Sequence, residues 1–371
     1  CTLCAYWLHV HKKPILEGTG AHNLNPHQTH TTHPQPVGPH RPLLLVPPQG
    51  CLAYPHSTRA TGIMASAAPA APTRCAIDMR ALGVDLLRAA AKGNVPKLRE
   101  ALVALNAADG IDVNVKNKWG YAALIRAAKN NHKECVQLLL AADGINVNVQ
   151  NKYGNTALIV AAWNNNKECV QLLLAADGID VNVQTKNGNT ALIVAAWKNH
   201  KECVQLLLAA DGINVNVQNK YGDTALILAA WKNNKECVQL LLAVDGIDVN
   251  VQKKYSGDTV LHVAADAGHA DVCTLLLTAC AAVDALASHG KTALHKAALY
   301  GHAAAAAALL RGGASLRVED GWGSTAVQLA AASGFAECVE VLQCEARWRR
   351  RRALARVREQ RRVARDHWKR R

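Results

Sequence analysis

The sequence predicts an all-α solenoid, a stack of helix–loop–helix units joined by short β-hairpin-like arms. Three observations predict it. Residues 151–184 read NKYGNTALIVAAWNNNKECVQLLLAADGIDVNVQ, and the next two blocks of equal length, 185–218 and 219–252, repeat that string almost letter for letter. Glycines at 120, 154, 188, 222, 257, 290 and 323 mark the same place in successive units, at intervals of 34, 34, 34, 35, 33 and 33. The chain is half hydrophobic but only 4% aromatic, so alanine and leucine supply the core and favour close-packed helices.

Each part of a unit has a physical reason. Tyr153-Gly154-Asn155 is a turn, because glycine tolerates positive φ. Thr156 stands at a helix start, where its hydroxyl can accept from orphan backbone N–H groups. A short first helix spans Ala157 to Trp163, with Ala161 and Ala162 small enough for a neighbour to approach. Asn164 to Asn166 turn the chain, and a second helix runs from Lys167 to Ala176 with apolar Cys169, Val170, Leu172, Leu173 and Leu174. Gly178 suits the left-handed conformation after a helix, and alternating Ile179, Val181 and Val183 predict a short extended arm. Helices this short are marginal alone, since about 12–15 residues are needed for isolated stability. They must bury their faces against the next unit, which gives a stack held by nearest neighbours.

These motifs resemble the ankyrin repeat, whose signature is G-x-T-P-L-H-x-A-A, a leucine-rich second helix, then G-A-D-V-N. Here the first motif reads TALIVAA at Thr156 and Thr190, TALILAA at Thr224, TVLHVAA at Thr259 and TALHKAA at Thr292. The motif proline is absent, the motif histidine survives only as His262 and His295, and the central units carry one extra residue in DGID. The resemblance spans about residues 82–345, including a degenerate first unit at Asp85–Ala90 and a last one starting near Glu319, for seven to eight units in all.

Charge divides the chain. The net charge is +14, yet residues 347–371 hold thirteen Lys/Arg against Glu359 and Asp366, and residues 1–74 hold five against Glu17. Taking that +11 and +4 from +14 leaves −1 for the body, so the basic character belongs to the ends. The expected organisation is a leader of residues 1–63, disordered or non-native, a linker 64–81, the array 82–345 and a basic tail 346–371. Translation is expected to begin at Met64, and the tail is expected to add nothing to the array's stability, because charge so dense stays solvated. No stretch reaches the roughly 18 apolar residues of a membrane span.

Cys135, Cys169, Cys203 and Cys237 recur once per unit beside Val and Leu, and Cys338 matches them; this is the pattern of small buried hydrophobes, not of paired metal ligands. Unpaired thiols point to a reducing compartment, the cytoplasm or nucleus. Eight of the sixteen histidines lie in residues 1–63 without regular spacing. No P-loop, G-x-S-x-G or H-E-x-x-H motif is present, so neither an enzyme nor a cofactor is expected, and His262 and His295 are assigned to turns. In ankyrin proteins the asparagines of Asp-Val-Asn can be hydroxylated, which singles out Asn182 and Asn250; ordinary turn bonding also accounts for them.

The resemblance implies a protein-binding module or scaffold contacting its partner through arm tips and the exposed side of the first helices, on a concave face. In this sequence those positions are Lys118, Trp119, Tyr121, Lys152, Tyr153, Trp163, Lys186, Asn187, Trp197, Lys198, Lys220, Tyr221, Trp231, Lys232, Lys254 and Tyr255. Their composition predicts an acidic, extended protein partner for a monomeric array. Two alternatives stand beside it: nucleic-acid binding or nuclear targeting through the Arg-rich tail, and service as the regulatory part of a larger enzyme.

Overall fold

The structure, a computed structural model, describes residues 79–107 and 112–369. The expectations for the leader, for Met64 and for the linker as far as residue 78 lie outside the described residues. Among the described residues sixteen α-helices follow one another in eight antiparallel pairs. The pairs are α1 (Met79–Lys92) with α2 (Val95–Ala107), α3 (Ala123–Lys129) with α4 (Lys133–Leu140), α5 (Ala157–Trp163) with α6 (Lys167–Leu174), and α7 (Ala191–Lys198) with α8 (Lys201–Leu208). They continue with α9 (Ala225–Trp231) and α10 (Lys235–Leu242), α11 (Val260–Asp266) and α12 (Ala270–Thr278), α13 (Ala293–Leu299) and α14 (Ala303–Arg311), and α15 (Ala326–Ala332) and α16 (Ala336–Lys369). First helices pack on first helices and second on second, so two parallel rows run along the stack.

The first helices lie in the middle of the core. In α5 every residue from Ala157 to Ala162 is buried, and Ala161 and Ala162 are wholly so, as the alanines' small size requires. The second helices bury only one stripe: in α6 this is Cys169, Val170 and Leu173, each 0% exposed. Each such Val or Leu is worth about 1.5–3 kcal/mol of burial. Thr156, Thr190 and Thr224 cap the first helices, their hydroxyls accepting from Ile159, Ile193 and Ile227 N–H at 3.3 Å.

Polar side chains then bind each unit to the one before it. From α4 to α14, the residue just before each second helix reaches back to the last carbonyls of the preceding first helix. Asn166 Nδ2 donates to Ala128 O at 2.7 Å, and Asn234 Nδ2 donates to Ala196 O at 2.7 Å. In the other units a histidine ring does the same: His132 to Ala91 O, His200 to Ala162 O, His269 to Trp231 O and His302 to Asp266 O, at 2.8–3.2 Å. The recurring cysteines join this scheme. Cys169, Cys203 and Cys237 donate through Sγ to Asn131, Asn165 and Asn199 Oδ1 at 3.4 Å. Burial, reinforced by the neighbouring glutamates, pushes each of these three thiols up to about 11, so they stay protonated donors and inert packing groups.

The arms differ from the extended segments that the alternation of Ile, Val and Asn predicts. Among the described residues they contain no strand, and the one β-bridge pairs Glu319 with Thr325. The reason is local. Asn182 N–H is taken by Asp180 Oδ1 and Asn148 N–H by Asn146 Oδ1, both at 2.9 Å, so side chains hold the arm in turns and withdraw the donors a ladder needs. The arms are instead tied to one another, Lys152 N–H donating to Trp119 O, Lys186 N–H to Tyr153 O and Lys220 N–H to Asn187 O, at 3.0–3.2 Å.

His262 and His295 lie not in turns but inside α11 and α13, each three residues after the capping threonine, where the ring closes a capping box. Thr292 N–H donates to His295 Nδ1 at 3.1 Å, His295 N–H donates to Thr292 Oγ1 at 3.4 Å, and His295 Nε2 donates to Ser324 O at 3.1 Å. His262 makes the matching bonds to Thr259 and Lys291 O. In the last pair Gln328 takes this place, accepting from Thr325 N–H at 2.7 Å.

No interruption marks the boundary expected at residue 346: α16 continues from the last repeat through the basic segment to Lys369. The expectation that this segment adds nothing to the array's stability has a contact standing against it at Arg349. Its guanidinium donates to Leu310 O at 2.7 Å and Ala314 O at 2.8 Å, closing the C-terminus of α14, while Glu345 accepts from Nε at 2.8 Å.

Two outcomes follow. At Gly154, with φ +80°, an added Cβ would come within 2.7 Å of the next arm's Lys186 N; at Gly178, with φ +72°, it would meet nothing within 4 Å. Gly178→Ala should therefore lose only the left-handed penalty of about 1–2 kcal/mol, and Gly154→Ala clearly more, by urea unfolding; equal losses would show that the arms yield freely. The second outcome concerns pH. Burial holds both His262 and His295 below the ordinary histidine value, so they are neutral in the fold. As pH falls through about 6.5 the unfolded chain takes up protons that the folded chain refuses, and stability declines. The Tm should fall from about pH 7 to about pH 5, and the His262→Gln/His295→Gln variant, which copies Gln328, should show a shallower fall; an unchanged slope would assign it to other groups.

Candidate partner-binding face

The turns between first and second helices set Trp163, Trp197 and Trp231 at the same point of α5, α7 and α9. Each follows an alanine pair that the neighbouring helices press against, so its indole is carried to the rim of the core and is half-buried there. The rings are near enough to touch: the Trp163 and Trp197 centroids are 5.5 Å apart, tilted by 42°. Lysines fill the spaces. Lys198 Nζ lies 4.4 Å from the Trp163 centroid and 4.6 Å from that of Trp197; Lys232 Nζ lies 5.9 Å from Trp197 and 4.0 Å from Trp231. The result is an alternating ladder of indole faces and ammonium groups, each lysine reaching over the tryptophan of its own unit and that of the unit before.

The arm tips make a second line. Lys118, Trp119, Lys152, Tyr153, Lys186, Asn187, Lys220, Tyr221, Lys254 and Tyr255 are all exposed, Tyr255 at 81%. Lys118 Nζ sits 4.0 Å over its neighbour Trp119. Tyr121 behaves differently: it packs partly against the core, burial raises its phenol pKa, and Lys129 Nζ stands 5.8 Å from its ring. Among the described residues no ring contact joins Tyr153, Tyr221 or Tyr255 to the tryptophans, so the structure brings together Trp163, Trp197, Lys198, Trp231 and Lys232 and leaves the arm-tip aromatics as separate, exposed groups.

The ladder ends where the sequence changes. Asp266 follows Ala264-Ala265 as Trp231 follows Ala229-Ala230. Lys296, one unit on, is mostly buried between Asp258 Oδ1 at 3.4 Å and Asp266 Oδ1 at 3.5 Å. Burial alone would depress the Lys296 pKa, but the two carboxylates outweigh it and raise it. Asp266 does not show the lowering an ion pair would give: its pKa is raised, because burial dominates over the attraction of Lys296. A further pair, Lys253 to Asp223 at 2.9 Å, lies at the arms. Reasoning from the repeat missed this charged group; its signal was the replacement of the recurring tryptophan by aspartate with a lysine introduced one unit later.

Asn182 and Asn250 bridge units. Asn182 Nδ2 donates to Gly212 O and its Oδ1 accepts from Asn214 N–H, both at 2.8 Å; Asn250 Oδ1 accepts from Ala282 N–H at 2.8 Å. Among the described residues no group of three or more His, Cys, Asp or Glu is placed to hold a metal ion, and no helix is long and apolar enough to cross a membrane.

Comparison with known proteins agrees with this architecture. Among solved structures the crystal structure of the ankyrin repeat domain of Bcl-3, described as a unique member of the IkappaB protein family, aligns with a TM-score of 0.54 and 27% identity, covering 59% of this chain and 97% of that one. No curated protein matches. The family model for ankyrin repeats matches three times, over residues 86–185, 177–253 and 245–320. With eight helix pairs, capped first helices and this match over most of its length, the chain belongs to the ankyrin-repeat family.

Proposed function

We propose that this interaction module takes an acidic, extended segment of a partner protein along the face made by its first helices and arms. The Trp163–Lys198–Trp197–Lys232–Trp231 ladder carries the reading. Its indoles offer flat apolar area at little entropic cost, and its ammonium groups, held over the rings, are poised for carboxylates. The exposed Lys152, Lys186, Lys220 and Lys254 add positive charge at the arm tips. Asp177, Asp211 and Asp245 sit in exposed turns just after the second helices. Charge then sets the rate of association and its salt sensitivity, and the aromatics hold the complex. The array acts as a monomer in this reading, in the cytoplasm or nucleus, where its buried thiols stay reduced.

The basic helix supports a second reading, as a nucleic-acid contact. Residues 347–369 carry eleven Lys/Arg against Glu359 and Asp366 on a single helix that projects past the last repeat. Phosphate neutralisation by such a row would show as a steep fall of affinity with salt.

Quantitative pull-down with the full chain separates the readings. Proteins retained by the wild type should be lost with Lys198→Glu and with Trp197→Ala, while both variants keep the wild-type Tm within a few degrees. Retention of the same proteins by both variants would remove the ladder from the interface. A Trp197→Ala loss of about 3–5 kcal/mol in stability would make the ladder packing alone.

A further inference from the structure

A second surface lies on the second-helix row, at the end of the array away from the tryptophan ladder. Between α14 and α16 there is a groove of about 660 Å³, within the usual size of ligand clefts of about 300–1,000 Å³. Its origin is in the sequence. α14 reads AAAAAALLR where the central second helices read KECVQLLL, so Ala307, which lines the groove, stands at the place of Gln171 in α6. The smaller side chain leaves space along the groove.

The groove has two chemistries. Its floor is apolar, made by Ala307, Leu310 and Val341, with the indole of half-exposed Trp348 as a wall. Its rim is cationic, carrying Arg311, Arg347 and Arg351. Arg347 spends one N–H on Gln343 Oε1 at 3.2 Å, and Arg352 lies 4.5 Å over the outer part of Trp348. Glu345 also lines the groove, but its carboxylate is held by Arg349 at 2.8 Å and does not neutralise the rim. Arg349 at the same time fixes this part of α16 to Leu310 and Ala314, so the two walls are held at a set spacing.

We infer that this groove is a docking site for an acidic polypeptide segment that inserts an apolar side chain between α14 and α16 while its carboxylates meet Arg311, Arg347 and Arg351. The rim's charge selects an acidic occupant, and the aliphatic floor of Ala307, Leu310 and Val341 suits an apolar side chain better than a nucleobase, whose stacking partner here would be Trp348 alone. The site is separate from the first-helix face and does not depend on it.

The test is fluorescence anisotropy on the full chain with a labelled peptide of glutamates carrying one leucine and one phenylalanine four positions apart. Controls are the same peptide with serines in place of the two apolar residues, and a single-stranded oligodeoxynucleotide of equal charge. The apolar-bearing peptide should bind saturably, and the serine peptide at least about tenfold more weakly, as loss of a buried anchor requires. The triple variant Arg311→Glu/Arg347→Glu/Arg351→Glu and the variant Ala307→Trp, which fills the groove without changing charge, should each weaken the peptide by about tenfold or more. Trp197→Ala should leave it unchanged, which separates this site from the first-helix face. Circular dichroism and Tm identify a variant that has failed to fold, and the two peptides compared on the wild-type chain decide the case without any variant. Equal binding of the two peptides, absence of saturable binding, or an oligonucleotide that binds more tightly than the peptide and is lost in the same triple variant would overturn the proposal.

Discussion

A helix of seven or eight residues leaves at least as many backbone groups unpaired at its ends as it pairs within, and in this chain the next unit supplies some of the missing partners. Asn166, Asn234 and the rings of His132, His200, His269 and His302 all reach back to carbonyls at the end of the first helix before them. Removing such a donor from Asn166 or Asn234 would leave Ala128 O and Ala196 O only their longer backbone bonds, from Asn131 and Asn199 N–H at 3.5 and 3.3 Å, a loss of about 0.5–1.5 kcal/mol. These bonds fix the rise and rotation between units, and everything on the surface inherits that spacing. The indoles of Trp163 and Trp197 meet at 5.5 Å because the helices that bear them are held in register from below.

The same constraint accounts for the recurrent residues. Cys169, Cys203 and Cys237 pack as small apolar groups and still offer a weak donor to the left-handed asparagine of the preceding unit. Asn182 and its counterparts Asn114, Asn148, Asn216 and Asn250 run a parallel line of bridges through the arms. At the C-terminal end Phe335 stands where earlier units place Asn or His at the head of the second helix, and the chain changes device: Arg349, on a helix prolonged beyond the repeat, closes α14 instead. The basic helix is thus continuous with the array and anchored to it at its first turn, and the groove beside it is a consequence of joining a long helix to an alanine-rich one.

Much of this was legible in the sequence because the period is nearly exact. The glycine intervals locate every turn, the Thr caps locate the first helices, and the Leu and Cys positions locate the second. The arms were not, since alternating Ile179, Val181 and Val183 carry a strand pattern, while Asp180 and Asn182 form turns whose bonds depend on the neighbouring unit. The contacts of the candidate face were partly legible. The recurrence of Trp and Lys is plain in the text, but the placing of Lys198 over the tryptophan of the previous unit depends on the offset between helices, and the Asp258–Lys296–Asp266 group joins residues from two units. Arg349 was hidden because one arginine in a run of arginines carries no mark of its partner.

The most direct test of this account is urea unfolding of Asn166→Ala, Asn234→Ala and their double variant. The bonds at stake are buried and short, 2.7 Å to Ala128 O and to Ala196 O. Each single variant should lose about 0.5–1.5 kcal/mol, with the two losses adding in the double variant because the sites are two units apart. Variants as stable as the wild type would show that apolar burial alone sets the register, and that the back-reaching side chains are incidental to it.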